Sequence, residues 1–174
     1  MEPVTIIIVN YNSAKHIIGT LQSVNRLDYR DFNIIVVDNN STDNSPDIIK
    51  KHFPHTRIIR LKENIGSAAA RNAGIREANT DLVLLLDDDI TVHPDCLTEL
   101  LKVKKKLPLS AAIHPMIMDK DNPAKPQLYN GGYIHYLCAF IPRKSFQPAG
   151  SYEIFDTVSS GALLIDRKIT KKTG

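Results

Sequence analysis

The stretch LVLLLDDDI (residues 82–90) joins five apolar residues directly to three consecutive aspartates, Asp87, Asp88 and Asp89. A short apolar run bounded by polar sequence predicts a strand that is buried on both faces, as in a parallel sheet. The three carboxylates then lie at the carboxyl end of that strand, which is the edge where ligands of open α/β sheets bind. This stretch therefore predicts both the fold class and the position of a site.

The three aspartates predict a cation site. On an extended chain, residues two apart point the same way, so Asp87 and Asp89 are expected on one side of the strand and Asp88 on the other. Two neighbouring carboxylates repel each other unless a proton or a cation holds them together. Oxygen ligands of this kind suit Mg²⁺ or Mn²⁺. The alternative is an acidic N-terminus for the following helix, which the helix dipole favours.

Three strand–helix units precede the acidic strand. Each begins with an apolar run rich in β-branched residues, which favours a strand. Ser13 is expected to cap the first helix, and Ser45 with Pro46 marks the start of the second. Strands that alternate with helices predict a parallel sheet with right-handed crossovers. The three predicted strands are residues 4–9, 33–37 and 57–61.

The segment ENIGSAAARNAGI (residues 63–75) is dominated by small residues. Ala favours a helix, and Gly66 suits the turn into it. The small residues therefore predict a helix packed closely against the sheet. Arg71 differs from its neighbours, and because they are small, its guanidinium has room to reach a bound anion.

The sequence is less regular after the helix predicted to begin at Pro94 and to end before Pro108. Gly131 and Gly132 indicate a tight turn or a close approach of the backbone to another group. Apolar runs predict strands at residues 111–118, 133–141 and 158–165.

The composition indicates a soluble globular chain of about one domain, with 174 residues of which 43% are hydrophobic and 24% charged. Lys102 and the lysines at 104–106 form the densest basic cluster, at the end of a predicted helix. They are expected to be solvated and to complement the helix dipole, so nucleic-acid binding is not expected. No apolar run is long enough to span a bilayer. The two cysteines match no metal-binding spacing and indicate reduced intracellular thiols.

The motifs together resemble those of the family 2 glycosyltransferases, nucleotide-sugar enzymes of the GT-A fold, and most closely the rhamnosyltransferase-like enzymes of surface polysaccharide assembly. The resemblance implies one glycosyltransferase domain over residues 1–174, with a Rossmann-like, mostly parallel sheet, flanking helices and a more antiparallel C-terminal part. Five segments appear in the family's order: VTIIIVNYN, IIVVDNNSTDNS, ENIGSAAARNAGI, LLLDDDITVHPD and VSSGALLIDR, which start at residues 4, 34, 63, 84 and 158.

The resemblance also implies which residues bind the nucleotide. Val9, Asn10 and Tyr11 are expected to lie against the base, with Tyr11 able to stack on it. Asp38 is expected to accept a hydrogen bond from uracil or thymine, and Arg71 to lie near the base and the phosphates.

For the acids, the resemblance places Asp87 and Asp88 on the donor side of the site, with Asp87 near the ribose or sugar. Asp89 is expected to coordinate the Mn²⁺ or Mg²⁺ ion that bridges the two phosphates. The family inverts configuration by direct attack of an acceptor hydroxyl, assisted by a carboxylate general base. That base belongs to a Glu-Asp motif expected after Gly174, since Asp156 and Asp166 do not match its position.

The expected partners are a UDP- or dTDP-linked sugar and a glycan or lipid-linked acceptor. The expected location is the cytoplasm, with peripheral association at the inner face of the membrane also considered. This chain is expected to bind the donor and the metal but to transfer sugar at a negligible rate. Apolar surface expected near residues 158–165 would favour self-association, such as a homodimer.

Two other functions are compatible with parts of the sequence. A nucleotide-sugar binding module without catalysis would use the same donor-side residues. A phosphatase of the haloacid-dehalogenase type would use Asp87 as nucleophile and Asp89 as general acid. The second alternative rests on a single motif, and that motif normally opens its domain.

Overall fold

The structure is a computed structural model that describes residues 2–115, 131–134, 140–142, 157–158 and 161–170. Side chains are described for residues 2–115 and 161–169. The strands are β1 (Val4–Asn10), β2 (Phe32–Asp38), β3 (Arg57–Arg60), β4 (Leu82–Asp87), β5 (Ala112–Ile113), β6 (Gly131–Ile134), β7 (Phe140–Pro142), β8 (Thr157–Val158) and β9 (Ala162–Asp166). The helices are α1 (Ile17–Asn25), α2 (Ser45–His52), α3 (Ser67–Glu77), α4 (Cys96–Lys106) and α5 (Arg167–Thr170).

Six strands form the main sheet, in the order β3-β2-β1-β4-β9-β5. The first four are parallel, whereas β9 runs antiparallel to both β4 and β5. The chain moves outward from β1 to β3 and then returns to place β4 on the other side of β1. The sheet therefore has a topological switch point between β1 and β4, where ligands of such folds bind at the carboxyl ends. The parallel α/β sheet predicted from the sequence, with an antiparallel C-terminal part, is confirmed.

The sheet is buried on both faces because its central strands are apolar at consecutive positions. Ile6 and Ile8 of β1 belong to the core under α1, α2 and α4, whereas Ile7 and Val9 belong to the core under α3. Burying one such side chain contributes about 1.5–3 kcal/mol. A strand with apolar residues on both faces is stable only between two layers of helices, which explains the continuous apolar runs in the sequence.

Helix α3 lies unusually close to the sheet. A Cβ atom added to Gly74 would lie 2.6 Å from Cγ2 of Ile7 and 3.0 Å from Cγ2 of Val37. Gly66, at the N-cap of α3, has a φ of 81°, a conformation that side chains disfavour. The prediction of a small-residue helix packed against the sheet is confirmed.

The caps of the first two helices differ from the sequence prediction. Helix α1 begins at Ile17 with His16 as its N-cap, and Ser13 contributes its backbone carbonyl rather than a capping side chain. Ser45 is the first residue of α2, and its backbone N–H donates to Oδ1 of Asp43 at 3.0 Å. The N-cap is therefore Asn44 rather than Ser45, and Asp43, just before it, accepts this bond because its short side chain reaches the first residue of the helix.

Three predictions for the later strands are wrong in part. The run at 133–141 contributes to two strands, β6 and β7, which pair antiparallel. No Gly or Pro occurs between residues 134 and 140, so the sequence carried no turn signal there. The run at 158–165 also divides, with Val158 in β8 and Ala162 opening β9 in the other sheet.

Gly131 and Gly132 lie in β6 and pair with β8, so they do not form a tight turn. Of the run predicted at 111–118, residues 116–118 lie outside the described residues.

Two surface predictions also need correction. Ala162, Leu164 and Ile165 are buried between β4 and β5, so this part of the chain does not expose the apolar surface expected near residues 158–165. Lys104 is buried as well, and its Nζ donates to the backbone carbonyls of Pro108 and Ser110 and pairs with Asp166 at 2.8 Å. The Lys104 ammonium group has three oxygen acceptors in place of water, as a buried ammonium group requires.

Among the described residues, no helix combines the length and the apolar character needed to cross a membrane.

Candidate functional site

A cleft of about 420 Å³ opens at the carboxyl ends of β1 and β4, at the switch point of the sheet. It is lined by side chains from β1, β4, the start of α3 and the loop after β2. The lining residues are Val9, Tyr11, Asn39, Asn64, Gly66, Ser67, Arg71, Asp87 and Asp88. A larger hollow of about 520 Å³ lies at the opposite edge of the sheet, near Phe32 and Arg57. That hollow lies at the amino ends of β2 and β3, whereas ligands of such sheets bind at the carboxyl ends, so the cleft at the switch point is the candidate site.

Arg71 and Asp87 form an ion pair inside the cleft. The arginine side chain is 15% exposed and the aspartate 37% exposed. Arg71 comes from the second turn of α3 and crosses to the end of β4, a reach made possible by the small residues around it. Its Nε atom is buried and has no hydrogen-bond partner within the described part of the chain. The guanidinium is therefore held in place by Asp87, and one of its donors has no partner among the described residues.

Asp88 holds the loop that follows β1. Its Oδ2 accepts a hydrogen bond from the backbone N–H of Tyr11 at 3.2 Å and it also accepts one from the Ser13 hydroxyl, while its backbone carbonyl accepts from Oγ1 of Thr20 at 2.8 Å. Asp87 pairs with Arg71 of α3, whereas Asp88 contacts the loop before α1, so the two neighbouring carboxylates have different partners. Burial raises the pKa of Asp88, and the charges of its two aspartate neighbours raise it further, against the lowering effect of the hydrogen bonds.

Asp89 lies outside the strand. Strand β4 ends at Asp87, and Asp88 and Asp89 occupy a turn. The extended-chain argument that placed Asp89 on the same side as Asp87 therefore does not apply beyond the end of the strand. The Asp89 side chain is exposed and has no ion pair or hydrogen bond to any residue that the structure describes. Three carboxylates in sequence thus have three different environments.

Asp38 is completely buried below the cleft. Its Oδ1 accepts a hydrogen bond from Nδ2 of Asn10 at 2.9 Å, and its Oδ2 lies 3.4 Å from Nε of Arg60 without forming a hydrogen bond. Asn10 is also buried, and its Nδ2 lies within 3.0 Å of the hydroxyls of Ser41 and Ser45. The two residues join the ends of β1 and β2 and lie beside the cleft rather than in its lining.

The structure brings five of the predicted residues into the cleft lining and leaves three outside it. Tyr11 is 46% exposed, which is the exposure expected of a ring available for stacking. Asn10 and Asp38 are buried, and Asp89 is exposed but does not line the cleft. The five in the lining are Val9, Tyr11, Arg71, Asp87 and Asp88.

The sequence prediction missed four lining residues, Asn39, Asn64, Gly66 and Ser67. Nδ2 of Asn39 donates to Oδ1 of Asn64 at 2.8 Å, and the backbone N–H of Ile65 donates to Oδ1 of Asn39 at 3.0 Å. These bonds join the loop after β2 to the segment before α3. The signal was present, because Asn39 directly follows the predicted strand end at Asp38 and Gly66 precedes a predicted helix.

Comparison with known proteins identifies the family. The profile described as "Glycosyl transferase family 2" matches residues 5–172. This chain belongs to glycosyl transferase family 2. The resemblance found in the sequence is thereby confirmed.

Two similar proteins are named as a polymerase and as a synthase of a polymer. The chain is 39% identical over 93 residues to the teichoic acid poly(glycerol phosphate) polymerase of Staphylococcus epidermidis, which covers 51% of this chain and 13% of that protein. It is 32% identical over 126 residues to the poly-beta-1,6-N-acetyl-D-glucosamine synthase of Staphylococcus aureus, covering 70% of this chain and 31% of that protein. The chain therefore matches less than a third of the length of these relatives.

Solved structures confirm the GT-A fold. Residues 1–349 of S. aureus TarS superpose with a TM-score of 0.73 at 21% identity, covering 98% of this chain and 49% of that one. The mannosyltransferase PcManGT from Pyrobaculum calidifontis, solved with GDP-Man and Mn²⁺, superposes with a TM-score of 0.72 at 20% identity, covering 100% of this chain and 47% of that one. At these identities the likeness establishes the fold alone.

Proposed function

We propose that this chain binds a nucleotide-diphosphate sugar together with a divalent cation, as the donor side of an inverting glycosyl transfer in polysaccharide or glycoconjugate assembly. The observation that carries the proposal is the cleft at the switch point, where Tyr11, Arg71 and Asp87 lie together. An exposed aromatic ring, an arginine and a group of carboxylates are the residue types needed for a base, a diphosphate and its cation.

The base is proposed to lie against Tyr11 and Val9. The Tyr11 ring is already about half exposed, so a planar base can stack on it without the ring having to move out of the protein. Asp38 supports this side of the site in two ways, because it anchors Asn10 and has one carboxylate oxygen without a hydrogen bond. That oxygen is proposed to accept the N–H of a uracil or thymine, which requires a small movement of the loop after β2.

The diphosphate is proposed to lie beside Arg71. The side chain is mostly buried, and its pairing with Asp87 fixes the guanidinium in advance of binding. A fixed arginine loses less conformational entropy on binding than a mobile one, so more of its interaction with an anion appears as affinity. The exposed part of the guanidinium is proposed to donate charge-assisted hydrogen bonds to phosphate oxygens.

The residues present fit a divalent cation. No three His, Cys, Asp or Glu side chains cluster into a metal site within residues 2–115 and 161–169. Mg²⁺ and Mn²⁺ often bind through one or two carboxylates and complete their coordination with substrate phosphates, so a cage made entirely of protein is not required. Asp89 is exposed and lies next to two further carboxylates, so we propose it as the metal ligand. When bound, the cation would neutralise the charge that develops on the diphosphate leaving group.

In the proposed reaction an acceptor hydroxyl attacks the anomeric carbon of the sugar. The bond from that carbon to the diphosphate oxygen breaks as the new glycosidic bond forms on the opposite face, and the hydroxyl proton passes to a base. Arg71 would hold the departing diphosphate in line, and the buried walls of the cleft would restrict water. No described residue is assigned as the base.

The relatives and structural neighbours support this proposal at the level of ligand class. TarS has been solved with UDP and with UDP-GlcNAc, and PcManGT with GDP-Man and Mn²⁺. The acceptor is proposed to be a glycan or a lipid-linked glycan, in keeping with the polymer-assembling relatives. A homodimer and association with the inner face of a membrane stay predictions.

The test is calorimetric titration of the chain with UDP, dTDP and GDP, each with and without Mn²⁺. Metal-dependent binding of UDP or dTDP supports the proposal, whereas the absence of binding to all three contradicts it. The non-catalytic binding module is the second candidate, and it predicts the same binding without turnover. Release of diphosphate that is stimulated by an acceptor glycan distinguishes the two.

The phosphatase alternative has no remaining support, because Asp87 is paired with Arg71 and the family match is to glycosyltransferases.

A further inference from the structure

The loop after β1 is fastened to the loop after β2 through Asn12. Oδ1 of Asn12 accepts hydrogen bonds from the backbone N–H of Thr42 at 2.8 Å, from its hydroxyl at 3.3 Å and from the backbone N–H of Asp43 at 3.3 Å. The backbone N–H of Asn12 donates to Oγ of Ser41 at 3.0 Å. One side chain on the first loop thus satisfies three donors of the second.

Asp43 makes the connection reciprocal. Its Oδ2 accepts from the backbone N–H of Ala14 at 3.0 Å, and its Oδ1 accepts from the backbone N–H of Ser45 at 3.0 Å. Burial would raise the pKa of Asp43, but hydrogen bonds, that from the Ser45 hydroxyl first among them, lower it. The carboxylate is therefore held in its charged, accepting form. We call the set of Asn12, Ser41, Thr42 and Asp43 the loop clamp.

The backbone at the clamp is in an unusual conformation. Asn12 has a φ of 53°, in the left-handed region, which Asn tolerates better than most residues. The residue immediately before it is Tyr11, whose ring is the exposed aromatic group of the cleft. The backbone N–H of Tyr11 is in turn held by Asp88. Tyr11 is therefore fixed on one side by the acidic strand end and on the other by the loop clamp.

We propose that Asn12 is a positioning residue for the nucleotide base: through the loop clamp it fixes the backbone on which Tyr11 is presented to the donor. The inference rests on the proposed function, since it assigns Asn12 to the base side of that site. Asn12 touches no ligand in this scheme. Asn12 restricts the Tyr11 loop before the donor binds, so the loop loses less conformational entropy on binding. Loss of the Asn12 side chain therefore weakens binding of the base rather than of the phosphates.

Four variants test the inference. Asn12→Gly keeps the left-handed backbone and removes the acceptor, whereas Asn12→Asp keeps an acceptor oxygen in the same place. Asn12→Ala removes the acceptor and strains the backbone as well. The matched control is Asn40→Gly, because Asn40 also has a left-handed φ, of 63°, and its side chain makes none of the hydrogen bonds found between described residues.

Each variant is titrated with UDP and with inorganic pyrophosphate, both in the presence of Mn²⁺, and its thermal unfolding is recorded. We expect Asn12→Gly to bind UDP at least about tenfold more weakly than Asn40→Gly while binding pyrophosphate about as well as the wild type does. Asn12→Asp is expected to bind UDP within about threefold of wild type, and Asn12→Ala to lose at least as much as Asn12→Gly.

The outcomes that overturn the inference are distinct from those that overturn the proposed function. Equal UDP binding by Asn12→Gly and Asn40→Gly removes any positioning role. An equal loss of UDP and pyrophosphate binding, accompanied by a lower melting temperature, makes Asn12 a purely structural residue. A loss in Asn12→Asp as large as in Asn12→Gly rules out the acceptor oxygen as the cause. If the wild-type chain itself binds no nucleoside diphosphate, the proposed function fails first.

Discussion

Arg71 of α3 and Asp87 of β4 form an ion pair inside the cleft, linking the helix that packs on one face of the sheet to the strand that ends at the switch point. Each group fixes the other, because the aspartate orients the guanidinium and the guanidinium neutralises one of three adjacent carboxylates. The site is therefore electrostatically organised before any ligand arrives.

Replacement of Arg71 by Ala is expected to weaken binding of a nucleoside diphosphate by roughly tenfold to a hundredfold, since hydrogen bonds to charged groups contribute about 1.5–3 kcal/mol. The effect should fall on the diphosphate and leave nucleoside binding almost unchanged, which calorimetry with UDP and uridine can measure. Arg76→Ala is the control, because Arg76 is exposed in the last turn of the same helix. Equal losses in both variants would point to a general effect of positive charge.

Replacement of Asp89 by Asn is expected to abolish the Mn²⁺-dependent part of UDP binding. The substitution keeps the size of the side chain but removes the charge that a hard cation requires. Titrations with and without Mn²⁺ measure this directly. Asp47→Asn, at an exposed position in the first turn of α2, provides the control. Full metal dependence in the Asp89 variant would assign the cation to another residue.

Replacement of Asp38 by Ala is expected to weaken UDP binding by about 1.5–3 kcal/mol without altering its dependence on Mn²⁺. The carboxylate is buried against Asn10, so the variant should also unfold at a lower denaturant concentration. The two effects are separated by Asp38→Asn, which keeps the shape and one acceptor oxygen. An Asp38→Ala protein that is less stable but binds UDP normally would show that the residue only holds the loops together.

Lys104 and Asp166 are expected to stabilise the packing of α4 against β9. The two side chains are 10% and 13% exposed and lie 2.8 Å apart. Removing one partner of a buried ion pair typically costs about 3–5 kcal/mol, so Lys104→Ala should lower the free energy of unfolding by that order. Lys105→Ala, at the exposed neighbouring position, should change it by less than about 0.5 kcal/mol. Urea denaturation of both variants makes the comparison.

The same ion pair predicts a pH dependence of stability. Burial would raise the pKa of Asp166, but the hydrogen bond from Lys104 and those from the backbone N–H groups of Lys168 and Ile169 lower it below its ordinary 3.8. A lowered folded-state pKa means that the stabilisation is fully present above the unfolded value and is lost as the pH falls through the folded value. Asp166→Asn should flatten this part of the profile in urea denaturation from about pH 2 to pH 6. An unchanged slope would assign the acid sensitivity to other carboxylates.

Much of the site could be predicted because it follows from strand ends. Apolar runs predicted β1, β2 and β4, and the polar residues that follow them had to meet at one edge of a parallel sheet. Tyr11 and Asp87 were found in this way, whereas Arg71 was found because it stands among small residues on a predicted helix. The prediction for Asp89 assumed an extended chain, and that assumption failed because the strand ends at Asp87.

What the sequence did not show depends on contacts between distant segments. The burial of Lys104 requires Asp166, which belongs to β9, a strand from late in the chain that lies between β4 and β5. The complete burial of Asp38 depends on an amide from β1 and on the loop that follows β2. No local pattern reports such pairings, since a solvated lysine and a buried one at the end of a helix have the same sequence context.

The close packing at Gly74 has a consequence for the position of Arg71 relative to Asp87. With no side chain, Gly74 acts as a spacer of minimal thickness between α3 and the sheet, and Arg71 lies one helical turn before it. A thicker residue at this position would raise the helix and carry the guanidinium away from Asp87. The position of Arg71 in the cleft thus depends on a residue that lies beneath the helix and outside the cleft lining.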